Sequence, residues 1–585
     1  MRGMLAREDQ HVLLETAMGR RRPSLILRGG RVLNVFTGRL ERKDVALAGK
    51  RIAWVGDLSA GGLMTDGDVP VLDVENRVLV PGYIEPHAHP FQLYNPVSLA
   101  EKAASLGTTT LIHDNMFFFN VLELDELRSM IDRLADSPVK HFWWARWDAQ
   151  TLLTDGRERL YESGRVREMM SHPRVLQAGE LTDWLPLLAG DPVMNEWVVE
   201  SRALGLRVEG HAPGASFRTL SRLAAAGVTA DHESISAEEV WRRLELGYWV
   251  TLRHSSIRPD LPVLLEGLLN EDHVPWHRIM MTTDGPTPLY FKEGFTDYLL
   301  KTAMESGLDP VTAYRLVTIN PAVYFRLDDH LGAIAPGRVA DINVLRDLTD
   351  PTPVHVIADG RIIAESGSMT ERLDDSVLML SPAKGKPEKI GFRPDDFSWP
   401  EGDVEDLPVM NLINPVITRL TMEPVSRAVS SSGDDLLMAC LADRGGEWIT
   451  QGYLRGLGRN VDGLASTYTG SGDLLVIGRD PRAMAEAANR AVKEGGIVWI
   501  QDDEEVFRLP LPLMGMMSPE PLDGLVRSLE PLVERLREHG HAFDDPIYTF
   551  LFLSSTHLPQ VRLTQAGIFR VKDKTVLVPS RRRRR

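Results

Sequence analysis

The chain has 585 residues, a formal net charge of -16, 25% charged residues and 43% hydrophobic residues, the balance of a soluble globular protein. Its length is too great for one core at ~150 residues per domain, and its acidity excludes a general nucleic-acid binder, whose contact face must be basic. A single cysteine, Cys440, excludes intrachain disulfides and any metal site needing two thiolates from this chain.

One cysteine also suits a reducing cytoplasm. The N-terminus has no apolar core of a signal peptide, and no run approaches the ~18 apolar residues of a membrane span. A cytoplasmic location without a membrane partner is therefore expected.

After a polar, helix-compatible leader, residues 24–80 alternate short β-rich runs with turns. Ser24–Leu27 leads into Gly29-Gly30, and Val32–Phe36 leads into Thr37-Gly38. Val45–Ala48, Gly49-Lys50 and Ile52–Val55 read as a hairpin. An apolar run, Val78 to Val80, then stops at Pro81-Gly82, just before His87 and His89.

From 81 to 330 apolar strand-like runs alternate with helical stretches. The strands are Thr109–Ile112, His141–Trp144, Val175–Ala178, Arg207–Glu209, Trp249–Leu252 and Ile279–Thr282. Helical spacing marks 122–134 and 191–204. Repeated β-then-α units over ~250 residues predict an α/β fold with a (β/α)8 barrel. The β texture returns in 331–375, which is expected to join 1–80 in one composite β-sandwich. Residues 376–403, rich in Pro, Lys, Gly and Asp from 384 onward, read as a linker. A C-terminal α+β unit, 404–585, follows. It holds strands at 474–477 and 497–500, helices at 481–492 and 522–538, and a last hairpin near 568–578. The terminal Arg581–Arg585 run reads as a solvated, disordered tail.

Side chains two apart in an extended segment share a face, so His87 and His89 can reach one ion. In a (β/α)8 barrel functional groups sit where strands end. Glu180, His211, His232 and Asp284 each follow an apolar β run. Each alone is more often structural. Together with the His pair they supply four imidazoles and two carboxylates, enough for two divalent ions.

This order, with its flanking words, resembles the adenine deaminase group of the amidohydrolase superfamily. The matching stretches are PGYIEPHAH, LGTTT (106–110), AGE (178–180), HAPG (211–214), AAGVTADHES (225–234) and TTDG (282–285). LVTINPA, LGAIAPGRVAD and the C-terminal AEAANRAVKEGG and LPLPLMG extend the likeness over most of the chain. The resemblance implies a metal-dependent hydrolase barrel that deaminates adenine to hypoxanthine. It implies His87, His89, Glu180, His211, His232 and Asp284 as ligands of two divalent ions, manganese first, with iron or zinc as alternatives. It also implies a homo-oligomer acting on a small molecule. Asp284 is the expected proton carrier; Glu233 is a second candidate for proton transfer or substrate contact, set equally against a structural salt bridge; Asp114 and Asn115 are the expected substrate contacts. The single cysteine rules out the Cys-x-x-Cys class of base deaminase.

The chain departs from the group at several points. Glu85-Pro86 stands where Asp-Gly is usual, and Pro90-Phe91-Gln92 where an acidic stretch is usual. Asp114-Asn115-Met116-Phe117 replaces Asp-Pro-His-Glu. Thr469-Gly470-Ser471-Gly472-Asp473 replaces a His-Asp-Ser-His-Asn cluster. The alternative readings are an amidohydrolase acting on another N-heterocycle or cyclic amide, and a non-catalytic binding protein on the same scaffold.

Overall fold

The computed structural model describes residues 7–154, 156–378, 391–398, 406–424 and 435–583. Its centre is an eight-stranded sheet in which every paired neighbour is parallel. The strands, numbered along the chain, are β6 (Tyr83–Ala88), β7 (Thr108–His113), β8 (Lys140–Ala145), β9 (Val175–Leu181), β10 (Arg207–Gly210), β11 (Ala230–Asp231), β12 (Trp249–Arg253) and β13 (Ile279–Thr282). Nearly all their residues are buried, as expected for strands covered by helices on one side and filled by side chains on the other. β13 returns beside β6, nearly closing a barrel.

Glu85 stitches that seam. Thr282 Oγ1 donates to its carboxylate at 2.5 Å, and the Thr283 N–H and Oγ1 donate at 3.1 and 3.0 Å. Burial pushes the Glu85 carboxyl up to about 7, against the pull of these bonds and of the His87 N–H.

Ahead of the barrel come β1 (Leu25–Asn34), β2 (Arg39–Ala48), β3 (Arg51–Gly56), β4 (Val71–Asp73) and β5 (Val78–Pro81); after it come β14 (Ile342–Leu345), β15 (His355–Ala358), β16 (Arg361–Glu365) and β17 (Ser368–Met369). They share one sheet, joined where β5 pairs antiparallel with β14. Lys140 ties this sheet to the barrel through buried ion pairs to Asp341 at 2.5 Å and Asp359 at 2.8 Å.

Two expectations need correction here. Gly29-Gly30 does not end a strand: β1 runs through it with a register shift, and Gly29, at φ +79°, makes a bulge. The run Val78–Val80 belongs to β5 of this flanking sheet, so the His pair lies at the end of the next strand, β6, with His89 just beyond it. Gly82 separates the two strands, in a space where a Cβ would sit 2.2 Å from Thr109 Oγ1.

The C-terminal unit holds a second nine-stranded sheet. It comprises β18 (Asp406–Leu412), β19 (Thr418–Pro424), β20 (Leu436–Ala442), β21 (Trp448–Arg455), β22 (Gly463–Ser466), β23 (Leu474–Gly478), β24 (Gly496–Gln501), β25 (Glu504–Pro510) and a last short strand, β29. A small antiparallel sheet of β26 (Val561–Thr564), β27 (Gly567–Arg570) and β28 (Thr575–Pro579) completes it. The helix Pro481–Glu494 lays an alanine-rich face on the large sheet. Of the expected linker, 379–390 and 399–403 lie outside the described residues. Residues 391–398 pack on that helix through Phe392 and Phe397, with the Phe392 N–H donating to Asn489 at 2.7 Å.

The arginine run is also corrected. Arg581–Arg582 is β29, antiparallel to β21, and Arg583 is buried over the Phe392 ring and bonded to Asp396 at 2.6 Å. A carboxylate and an aromatic face inside the unit turn the start of this charge run into structure. Arg584 and Arg585 lie outside the described residues.

The C-terminal unit docks on the barrel at the ends of the parallel strands. Tyr548 donates to the Gly285 carbonyl at 3.0 Å, Thr151 to the Ser554 carbonyl at 2.9 Å, and Asn95 to the Ser518 carbonyl at 2.8 Å. Gln92 and Tyr468 bond across the same junction. No helix among the described residues is long and apolar enough to cross a membrane.

Candidate active site

The parallel strands all end on one face, and β6, β9, β10, β11 and β13 bring their polar residues together there. His87, His89 and Asp284 form one compact group, and His87, Glu180 and His232 form another that shares His87. His211, His232 and Glu233 make a third. Asp284 Oδ1 lies 3.2 Å from His87 Nε2 and 3.3 Å from His89 Nε2. Glu180 Oε1 lies 2.5 Å from His211 Nδ1 and 3.4 Å from His232 Nε2. Each carboxylate thus stands between two imidazoles.

Gly285 makes room for this packing. A Cβ there would sit 2.4 Å from the His89 ring, and both Asp284 (φ +54°) and Gly285 (φ +59°) take the left-handed conformation.

The outer ring nitrogens of His87, His89 and His232 are committed. Glu209 lies 3.2 Å from His87 Nδ1 and 3.1 Å from His232 Nδ1, and Asp114 lies 3.0 Å from His89 Nδ1. A carboxylate can only accept, so these nitrogens carry protons, which would leave the opposite nitrogens to offer lone pairs to an ion held at the centre. There, Nε2 of His87, Nδ1 of His211 and Nε2 of His232 are buried beside the Asp284 and Glu180 oxygens but make no aligned hydrogen bond. Buried imidazole nitrogens beside carboxylates are the donor set of a divalent metal site, and carboxylates backing the histidines are its usual outer shell. The four histidines, Glu180 and Asp284 fit such ions.

Two arginines that the sequence reading passed over hold the carboxylates. Arg146, fully buried at the end of β8, binds Asp114 through Nε and Nη2, both at 2.8 Å. It also reaches the Glu180 carboxylate at 2.9 Å and the Glu180 carbonyl at 2.7 Å. Burial alone would raise the Asp114 carboxyl, but the facing guanidinium outweighs it and holds the group at about 2. Arg253, at the end of β12, donates to Glu233 and Asp284, each at 2.6 Å, and Arg258 adds a bond to Glu233 at 3.1 Å. Applying the strand-end rule to the runs at 141–144 and 249–252 finds both arginines. Glu209 lies two residues before His211 in β10, the spacing that puts it on the same face.

The expected substrate contacts, Asp114 and Asn115, are both buried. Both oxygens of Asp114 are used by His89 and Arg146, and its side chain is fully buried. Asn115 is buried as well, accepting from the Arg146 N–H at 3.3 Å. The Met116–Phe119 run is core: Phe118 packs 5.9 Å from Trp143, and Phe117 lies 6.0 Å from Phe91. Aromatic packing fills the place where the resemblance leads one to expect His and Glu.

Replacing Glu209 with Gln removes the charge behind two imidazoles and puts an amide donor against either the Gln177 amide or an imidazole N–H. Metal affinity should fall by about 10–100-fold, the usual cost of an outer-shell partner, measured by titrating metal into stripped protein.

Parallel-barrel architecture with this His and carboxylate set at its strand ends defines an amidohydrolase. Residues 78–363 match the model of the amidohydrolase family, and residues 415–575 match that of the adenine deaminase C-terminal domain. A protein of Halalkalibacterium halodurans named "Putative adenine deaminase" is 39% identical over 579 residues, 97% of each chain. The "Adenine deaminase" of Moorella thermoacetica is 31% identical over 576 residues, 95% of each chain. The chain belongs to the adenine deaminase family of amidohydrolases.

Proposed function

We propose that this chain is a metal-dependent hydrolase that converts adenine and water to hypoxanthine and ammonia. The observation that carries the reading is the set of buried imidazole nitrogens of His87, His211 and His232 that converge on Glu180 and Asp284 without an aligned hydrogen bond. The family membership supplies the substrate.

His87, His89 and Asp284 would hold one ion, and His211, His232 and Glu180 the other. Manganese is the proposed metal, and iron and zinc share the same ligand chemistry. Bound ions of this kind lower the pKa of water toward about 7 and so make a hydroxide nucleophile available at neutral pH.

The chain's own groups do the remaining work. Asp284 takes the proton as the water oxygen attacks C6, and returns it to the ring or to the departing amine. Glu233 shares the Arg253 guanidinium with Asp284 and is the second carboxylate able to carry that proton. The C6–N bond breaks, ammonia leaves, and hypoxanthine remains. Glu209 and Asp114 hold the histidines in one tautomer, while Arg146 keeps Glu180 ionised and oriented.

The test is ammonia release from adenine by manganese-loaded protein, with hypoxanthine followed by its oxidation to uric acid. Stoichiometric ammonia and hypoxanthine are expected. Turnover of a cyclic amide or another heterocycle, with adenine untouched, would overturn the substrate. Less than one divalent ion per chain, with no activity after manganese is restored, would overturn the reaction class.

A further inference from the structure

The site is not closed by the barrel alone. His87 and His232 are almost wholly buried, whereas His89, His211 and Asp284 keep 13, 17 and 13% of their side-chain surface exposed. The open edge therefore lies along His89, His211 and Asp284. At its His211 end stands an imidazole from the C-terminal unit.

His557 lies in the connection between the helix Ile547–Phe552 and β26. Its ring meets the His211 ring edge-on, with centroids 5.7 Å apart at 83°, and packs on Phe552 at 5.9 Å. Its Nδ1 is 3.4 Å from the Gln150 carbonyl, which also accepts the Thr556 N–H at 2.8 Å. A carbonyl only accepts, so the proton sits on Nδ1 and Nε2 of the neutral ring is an acceptor. Among the described residues Nε2 has no protein partner.

The anchor is itself part of the site. Gln150 holds a left-handed backbone, φ +55°, and its side-chain amide donates to Glu180 at 3.3 Å. One residue thus ties the His557 loop to a carboxylate of the metal-facing cluster. The Thr469–Asp473 stretch, where the resemblance leads one to expect a polar cluster, is used differently. The Gly470 N–H donates to the Leu551 carbonyl at 2.8 Å, and Arg157 of the barrel donates to the Ser471 carbonyl at 2.7 Å. That stretch seals the junction.

We propose that His557 is a substrate-contacting residue that the C-terminal unit contributes to the barrel site, accepting an N–H of the bound aminoheterocycle at Nε2. The inference rests on the hydrolytic reading of the cluster. It gives the C-terminal unit a direct part in substrate recognition. A site built to accept a substrate N–H also discriminates against ring systems that lack one there.

The experiment compares full-length wild type, His557→Ala and His557→Gln, all manganese-loaded, on adenine, with metal content and thermal unfolding measured for each. His557→Ala should keep its metal and its melting temperature. It should lose about tenfold in kcat/KM, mainly through KM, the scale of one neutral hydrogen bond. His557→Gln, whose amide oxygen can accept at a similar reach, should recover part of the loss. Unchanged kcat/KM in His557→Ala, or a loss accompanied by lost metal or a lower melting temperature, overturns the proposal. A wild type silent on adenine counts against the substrate assigned above. His557 is then judged by the same ratio on the heterocycle that the wild type does hydrolyse.

Discussion

His87→Ala protein is expected to fold, to bind less metal than wild type, and to have no measurable hydrolysis. His87 belongs to two of the candidate metal-holding groups at once, and its buried Nε2 lies 3.2 Å from Asp284 Oδ1 without an aligned hydrogen bond. Losing a group that faces the ion should cost more than the ~10–100-fold typical of an outer-shell partner. The fold survives because the substitution removes a ring, not a charge. Glu209 keeps His232 at 3.1 Å, and Gln177 still donates to it at 2.5 Å. Metal analysis, circular dichroism and turnover on one preparation decide the matter. Full metal content with retained turnover would show that the ligand assignment is wrong.

The second large effect is on stability. Arg146→Met keeps the length of the side chain and removes its charge, leaving Asp114 and Glu180 buried without their cation. Breaking a buried ion pair from one side costs about 3–5 kcal/mol, because the remaining charge stays out of water. Unfolding of the barrel should shift accordingly in a thermal or denaturant scan, and metal affinity should fall with it, since Glu180 loses its anchor. Arg167→Met is the control. Arg167 pairs with Glu196 and Glu200 on the surface, and its loss should leave the transition where it was. Equal effects from the two substitutions would mean that the buried network carries no special weight.

Much of the candidate site was legible because each proposed ligand follows an apolar β run, and parallel strands in a barrel all end on one face. The repeat of such runs was enough to expect the barrel, and i, i+2 spacing was enough to pair His87 with His89. Arg146 and Arg253 sit at strand ends too, but an arginine after an apolar run reads as a charge meeting solvent. Only the folded barrel reveals that both turn into a cluster of carboxylates. Phe117 and Phe118 posed the opposite problem, since apolar residues beside a site read equally as pocket or core. Packing against Phe91 and Trp143 decides for core.

By itself, the sequence determined the class of chemistry: His87, His89, Glu180, His211, His232 and Asp284 appear in an order and setting that suit a two-metal hydrolase. Local pattern suffices for that, because strand, turn and ligand are neighbours along the chain. The tertiary structure alone decided who holds whom. Glu209 serves both His87 and His232, Arg146 joins Asp114 to Glu180, Arg583 finds Asp396, and His557 reaches His211. Each of these contacts joins separate strands or separate units. It exists only once the sheet has curved and the C-terminal unit has docked, and no periodicity in the sequence encodes it.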